Sequence, residues 1–122
     1  LIFPNLELNV FQFLDALFSK ERKLALCLLE KIFQKEDPMK IFNLILFYLR
    51  NLALVKTAKP VKIHSFLIKK FKILARKFDL RELKAIYQRM AQGDILIKSG
   101  KVDPKIFLEN LVIFSFREET EF

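Results

Sequence analysis

Turn-making chemistry is scarce in this chain: glycine occurs twice and proline four times in 122 residues. Hairpin-rich β-folds and α/β folds place glycine, proline or Asx residues at most of their turns, because those residues tolerate the backbone geometry of tight reversals. A chain this poor in them is restricted to long elements joined by few corners. With 52% apolar residues and 14 phenylalanines it has the material for one real core, and its length suits a single domain. The fold class that follows is all-α, a single bundle of five to six helices.

The corners carry helix punctuation. Asp37-Pro38 and Asp103-Pro104 each place a carboxylate at an N-cap and a proline in the first turn, where its missing N–H costs nothing. Asp79 and Glu82 have the spacing of a capping box. Gly100 is placed to stop a helix in the left-handed conformation. Residues 1–8 contain Pro4, show no helical period and read as a linker arriving from a preceding domain. Asn9 then caps the first helix, Ser19 restarts the chain, and Glu21 falls in the first turn of the second, where a carboxylate suits the helix dipole. The stretch from Lys56 to Lys62 holds Pro60 and is the longest break; the fourth helix runs from about His64 or Ser65 to Lys77. The helical domain covers 9–116 and an acidic tail 117–122.

Apolar residues recur at helical spacing between these marks. Val10, Phe13, Leu14, Leu17 and Phe18 form the first stripe, and Ala25, Leu28, Leu29 and Ile32 the second, with Cys27 beside it as a small apolar filler. The third helix is apolar nearly all round: Ile41, Leu44, Ile45, Tyr48, Leu49 and Leu52 share one side, while Phe42, Leu46, Phe47 and Leu54 cover others. Such a helix is either central or covered by another chain. On the fifth, Leu83, Ile86, Tyr87, Met90, Ala91 and Ile97 face inward together with Asp94. A carboxylate on a buried stripe needs a partner, and Lys98, four residues on in the favourable acid-before-base order, is the structural pair for Asp94. Phe107, Leu108, Leu111 and Phe114 give the last helix its apolar side.

The net charge of +8 is unevenly placed, because residues 38–78 carry 10 basic groups and no acidic one. On the fourth helix Leu67, Phe71, Leu74, Ala75 and Phe78 fall in one arc, and Lys69, Lys70, Lys72, Arg76 and Lys77 in the opposite one. Phe66 and Ile73 project from the basic arc, where a purely solvated face has no use for them. This patch is the candidate surface for a partner or for DNA; the plain alternative is a lysine-rich solvated face.

Several function classes are excluded. One cysteine cannot form an intramolecular disulfide, and Cys27 with His64 alone cannot build a zinc site. Neither Gly93 nor Gly100 lies in a phosphate-binding loop. No catalytic constellation can be assembled around the single imidazole, so no catalytic residue, cofactor or metal is expected, and the chain is not read as an enzyme. The longest apolar run, Leu44–Leu49, falls far short of the roughly 20 residues of a membrane span, and the N-terminus has no signal-peptide pattern. A cytoplasmic piece of a longer protein is the resulting expectation.

Five ordered segments carry a family resemblance. Phe11-Gln12-Phe13-Leu14-Asp15-Ala16-Leu17 is similar to the helix that opens the C-terminal domain of the delta subunit family of the bacterial DNA polymerase III clamp loader. Ala25-Leu26-Cys27-Leu28-Leu29-Glu30 with Glu36-Asp37-Pro38, then Leu49-Arg50-Asn51-Leu52, then Ile63-His64-Ser65-Phe66 resemble later segments of that family. The fullest likeness is the closing Asp94, Ile97-Lys98-Ser99-Gly100, Asp103-Pro104 and Leu108-Glu109. Ser65 stands where the family usually has proline, and Lys35 where glycine is common.

The resemblance implies a clamp-loader collar domain that oligomerises with other clamp-loader subunits into the ring that loads the sliding clamp during DNA replication. It places sliding-clamp and ATP contacts in preceding domains, with no membrane partner. A basic middle third near DNA backbone fits that setting. The competing reading, from charge alone, is a stand-alone basic helical DNA-binding module.

Overall fold

A computed structural model describes residues 5–57 and 65–114, with side chains from residue 6 to 57 and from 68 to 114. The described residues form six helices and no strand: α1 (Asn5–Phe18), α2 (Arg22–Phe33), α3 (Pro38–Lys56), α4 (Ser65–Ala75), α5 (Leu80–Lys98) and α6 (Pro104–Phe114).

Local chemistry sets most of the ends. The Asp37 carboxylate accepts from the Met39 and Lys40 amides at 3.0 and 3.3 Å, and Pro38 opens α3. Asp79 accepts from the Glu82 amide at 2.8 Å while the Glu82 carboxylate accepts from the Asp79 amide at 3.1 Å, a complete capping box. Asp103 accepts from the Ile106 amide at the start of α6. Helix α5 ends in a Schellman motif: Gly100 has φ +77, its amide donates to Ile97 O and the Lys101 amide to Leu96 O. The same motif ends α1, with Lys20 at φ 65 in place of glycine and the Glu21 amide donating to Ala16 O.

Three boundaries differ from the sequence reading. Helix α1 begins at Asn5, not behind an Asn9 cap, because Leu6 and Leu8 extend its packing onto the core. Glu21 is the N-cap of α2, outside its first turn, and its side chain makes no capping bond. Helix α4 stops at Ala75, so Arg76 and Lys77 lie in the turn that follows.

Helix α3 is the centre of the bundle and packs against all five other helices. Ile41, Phe42, Ile45, Tyr48, Leu49 and Leu52 are buried, which accounts for most of its apolarity within this one chain, while Phe47 stays 38% exposed. By length and composition alone it is long and apolar enough to cross a membrane, with mean hydropathy 1.3. The short apolar run argued otherwise, because interspersed Asn43, Arg50 and Asn51 break the run without lowering the mean enough. Around α3 runs an aromatic spine: Tyr48 meets Phe71 edge-on at 5.1 Å, Phe71 stacks on Phe11 at 5.6 Å, and Phe18 packs on Phe78 at 4.2 Å. Burial, and then the Glu7 carboxylate, push the Tyr48 phenol well above its ordinary range, so it stays neutral.

Three side chains leave the positions assigned to them, and one is Phe114 of α6, which is 41% exposed. Cys27 is exposed and fills no core space. Ala91 is exposed and Gly93 is buried in its stead, because the Phe107 ring of α6 covers that position. The Phe107 ring lies directly on Gly93, where an added Cβ would sit inside van der Waals contact of three ring carbons. That ring is edge-on to Phe42 of α3 at 5.7 Å. Gly93→Ala therefore gains about 1 kcal/mol of helix propensity but forces the ring off two helices. Overpacking of this kind costs about 1–3 kcal/mol, so a net fall in stability is expected in denaturant melts, with Phe107→Leu in the same chain restoring part of it.

Helix α6 also packs against α2, which brings Glu109 beside Glu30. Hydrogen bonding with Glu30, then desolvation, raise the Glu109 carboxyl above its usual range, while Lys105 partly opposes the shift. A carboxyl raised on folding binds its proton more tightly in the folded state. Its stabilising contribution is full below the ordinary glutamate value of about 4.3 and is lost as pH rises through the folded value. Glu109→Gln should therefore raise the Tm at pH 7 and leave it nearly unchanged at pH 4.

Candidate functional site

The α4 surface divides its residues. Phe71, Leu74 and Ala75 are buried, and Lys69, Lys70 and Lys72 are exposed along the other side with Ile73, whose relative exposure is 59%. Arg76 is exposed just beyond the helix end. The Phe66 side chain, like those of Ser65 and Leu67, lies outside the described residues, as does all of His64.

Lys77 is engaged inside the protein. Its ammonium donates to the Asp15 carboxylate at 2.6 Å and to the Ser19 hydroxyl at 3.2 Å, tying the end of α4 to α1. Lys56, at the end of α3, donates to the Ala75 carbonyl at 2.6 Å and sits 5.3 Å from the centre of the Phe78 ring. This cation meets the negative end of the α4 dipole and satisfies one of its last carbonyls. Lys40 pairs with Glu36 at 3.3 Å. The acid-free middle third thus uses part of its charge to hold helices together. Its outward-facing remainder includes Lys69, Lys72 and Arg76, around Ile73.

Asp94 and Lys98 belong to the α5–α6 corner. Lys98 Nζ is 3.2 Å from Asp94 Oδ2, with the two side chains 68% and 24% exposed respectively. The acid is half-buried, not sunk in the core as its place on the stripe implied, because α5 turns this edge toward solvent. Its Oδ1 is buried and has no hydrogen-bond partner.

Sequence periodicity missed two features. Ile95 and Ile106 stand out at 69% and 54% exposure near that corner. A cleft of about 340 Å³ also opens between α3 and the start of α5, around Arg50, Leu80, Lys84 and Tyr87. Its one sequence signal was an arginine in the Leu49-Arg50-Asn51-Leu52 segment, on a helix otherwise apolar nearly all round.

Comparison with known proteins gives a consistent result. The family model for "DNA polymerase III delta subunit, C-terminal domain" matches residues 7–115. The chain is 29% identical over 121 aligned positions to DNA polymerase III subunit delta of Bacillus subtilis (strain 168), covering 89% of this chain and 35% of that protein. Its structure resembles that of the Bacillus subtilis DNA clamp loader delta protein (YqeN) with a TM-score of 0.81 and 27% identity, over 92% of this chain and 37% of that one. The chain therefore spans little more than a third of the length of the relatives it matches.

The Asp94–Lys98 geometry sets the size of its effect. An i,i+4 pair at this exposure contributes about 0.3–0.5 kcal/mol. Asp94→Asn should lower the unfolding free energy by about that amount at low salt, and the difference should shrink as salt screens the pair.

Proposed function

The chain belongs to the family formed by the C-terminal domains of DNA polymerase III delta subunits, and from that membership we propose that it is the collar of a delta subunit. In this role it is a non-catalytic oligomerisation domain, working in the cytoplasm, that scaffolds the ring of clamp-loader subunits during DNA replication. The observation that carries the reading is the family match, which runs from α1 through the end of α6. Exposed Ile73, Ile95 and Ile106 support it, since a domain that packs sideways against neighbours needs apolar surface its own core does not cover. A scaffold of this kind needs no cofactor. Contacts with the sliding clamp and with ATP fall to other domains.

The exposed cations on and after α4 favour an added contact with DNA backbone in the assembled loader. The stand-alone DNA-binding reading is not favoured by the family match.

The test mixes the delta protein that bears this domain with the other loader subunits of its organism and follows assembly by gel filtration. Co-elution is expected, and a delta subunit that elutes alone at micromolar concentrations overturns the collar reading. In the assembled loader, Lys69→Ala, Lys72→Ala and Arg76→Ala together should weaken DNA binding. The slope of log affinity against log salt should fall by about 1 for each phosphate that is no longer neutralised. An unchanged slope removes DNA from this surface, and strong duplex binding by the isolated chain overturns the collar reading in favour of the stand-alone DNA-binding module.

A further inference from the structure

The cleft between α3 and α5 is built unlike the rest of the surface. Half-buried Ala53 and Tyr87, backed by the fully buried Leu49 and Leu83, form an apolar floor, and Leu80 stands at the mouth, 44% exposed. Leu80, Lys84 and Tyr87 follow the i, i+4, i+7 rule, so the α5 wall runs for about 10 Å at 1.5 Å per residue. Each helix adds one cation, Arg50 from α3 and Lys84 from α5. Arg50 Nη2 donates to the Tyr87 hydroxyl at 3.4 Å, a long bond that orients the guanidinium across the two helices and occupies one of its five donors. Among the described residues no carboxylate pairs with either cation.

An apolar floor flanked by two cations without carboxylate partners is complementary to one chemistry, a large apolar side chain next to a carboxylate. A nucleic-acid backbone would satisfy the cations and gain nothing from the apolar surface between them. A basic segment would be repelled by them. The length of the α5 wall matches two turns of helix, the form in which apolar grooves take up partner segments. We propose that this cleft is the socket in which the domain docks an acidic–apolar segment of a neighbouring clamp-loader subunit. The proposal rests on the collar reading and deepens it by assigning the face and the chemistry of the contact.

The experiment measures affinity between the full delta subunit and its partner loader subunits by titration calorimetry. Three variants are compared: Arg50→Glu with Lys84→Glu, Leu80→Ser alone, and Lys23→Glu with Lys35→Glu as a charge-matched control on exposed residues elsewhere. The cleft reversal should weaken assembly by about ten-fold or more, since it sets like charges against each other. Leu80→Ser should weaken it several-fold, and the control should assemble like the parent. If the parent assembles and the folded cleft reversal assembles equally well, the socket is overturned while the collar reading stands. A cleft reversal that keeps assembly but lowers DNA affinity overturns it in favour of nucleic acid. A parent that fails to assemble removes the collar reading and the socket together. Should the double reversal melt early, Leu80→Ser, at an exposed position, decides the question alone.

Discussion

Burial of the apolar side chains of α3 against all five other helices is the constraint on which the other elements depend, with Lys40, Asn43, Phe47 and Arg50 left along one exposed edge. Its Ile41, Ile45, Leu49 and Leu52 supply the surface, and Phe42 and Tyr48 the aromatic contacts, onto which five helices settle. Each of those helices has one apolar stripe, whereas the wider apolar surface of α3 needs partners on several sides. Removing a large side chain here leaves a cavity that several helices border at once, so its cost is spread through the bundle and cannot be relieved by moving any one helix.

The last third shows how a corner is fixed twice over. Gly100 and Asp103-Pro104 stop one helix and start the next through bonds made within a few residues. A second device joins α6 to α5 and α3, the Phe107 ring resting on the bare backbone of Gly93 and reaching Phe42 beyond it. The Asp94–Lys98 pair lies at the margin of this joint, where screening by solvent limits it to a small contribution.

Charge serves two purposes in the same basic segment. Lys56 and Lys77 are turned inward as ties, one capping the end of α4 and the other holding it to α1. Lys69, Lys72 and Arg76 remain outward around Ile73. Arg50 and Lys84, from two different helices, flank the apolar cleft. A count of basic residues treats all of these alike, while their partners separate them into structural ties and available surface.

The sequence by itself determined the helical class, five of the six helix starts to within a few residues, and the family. Those properties follow from capping side chains and apolar spacing that act over one or two turns, and from an order of residues that needs no coordinates. Tertiary structure alone decided that Lys77 meets Asp15 across 62 residues, that Cys27 is exposed, and that α1 reaches back to Asn5. It also decided that Gly93 is a contact site and that Arg50 and Lys84 flank one cleft. Each of these depends on which faces of distant helices meet. That is set by how the side chains of α3 divide its surface among five neighbours, and no local pattern encodes it.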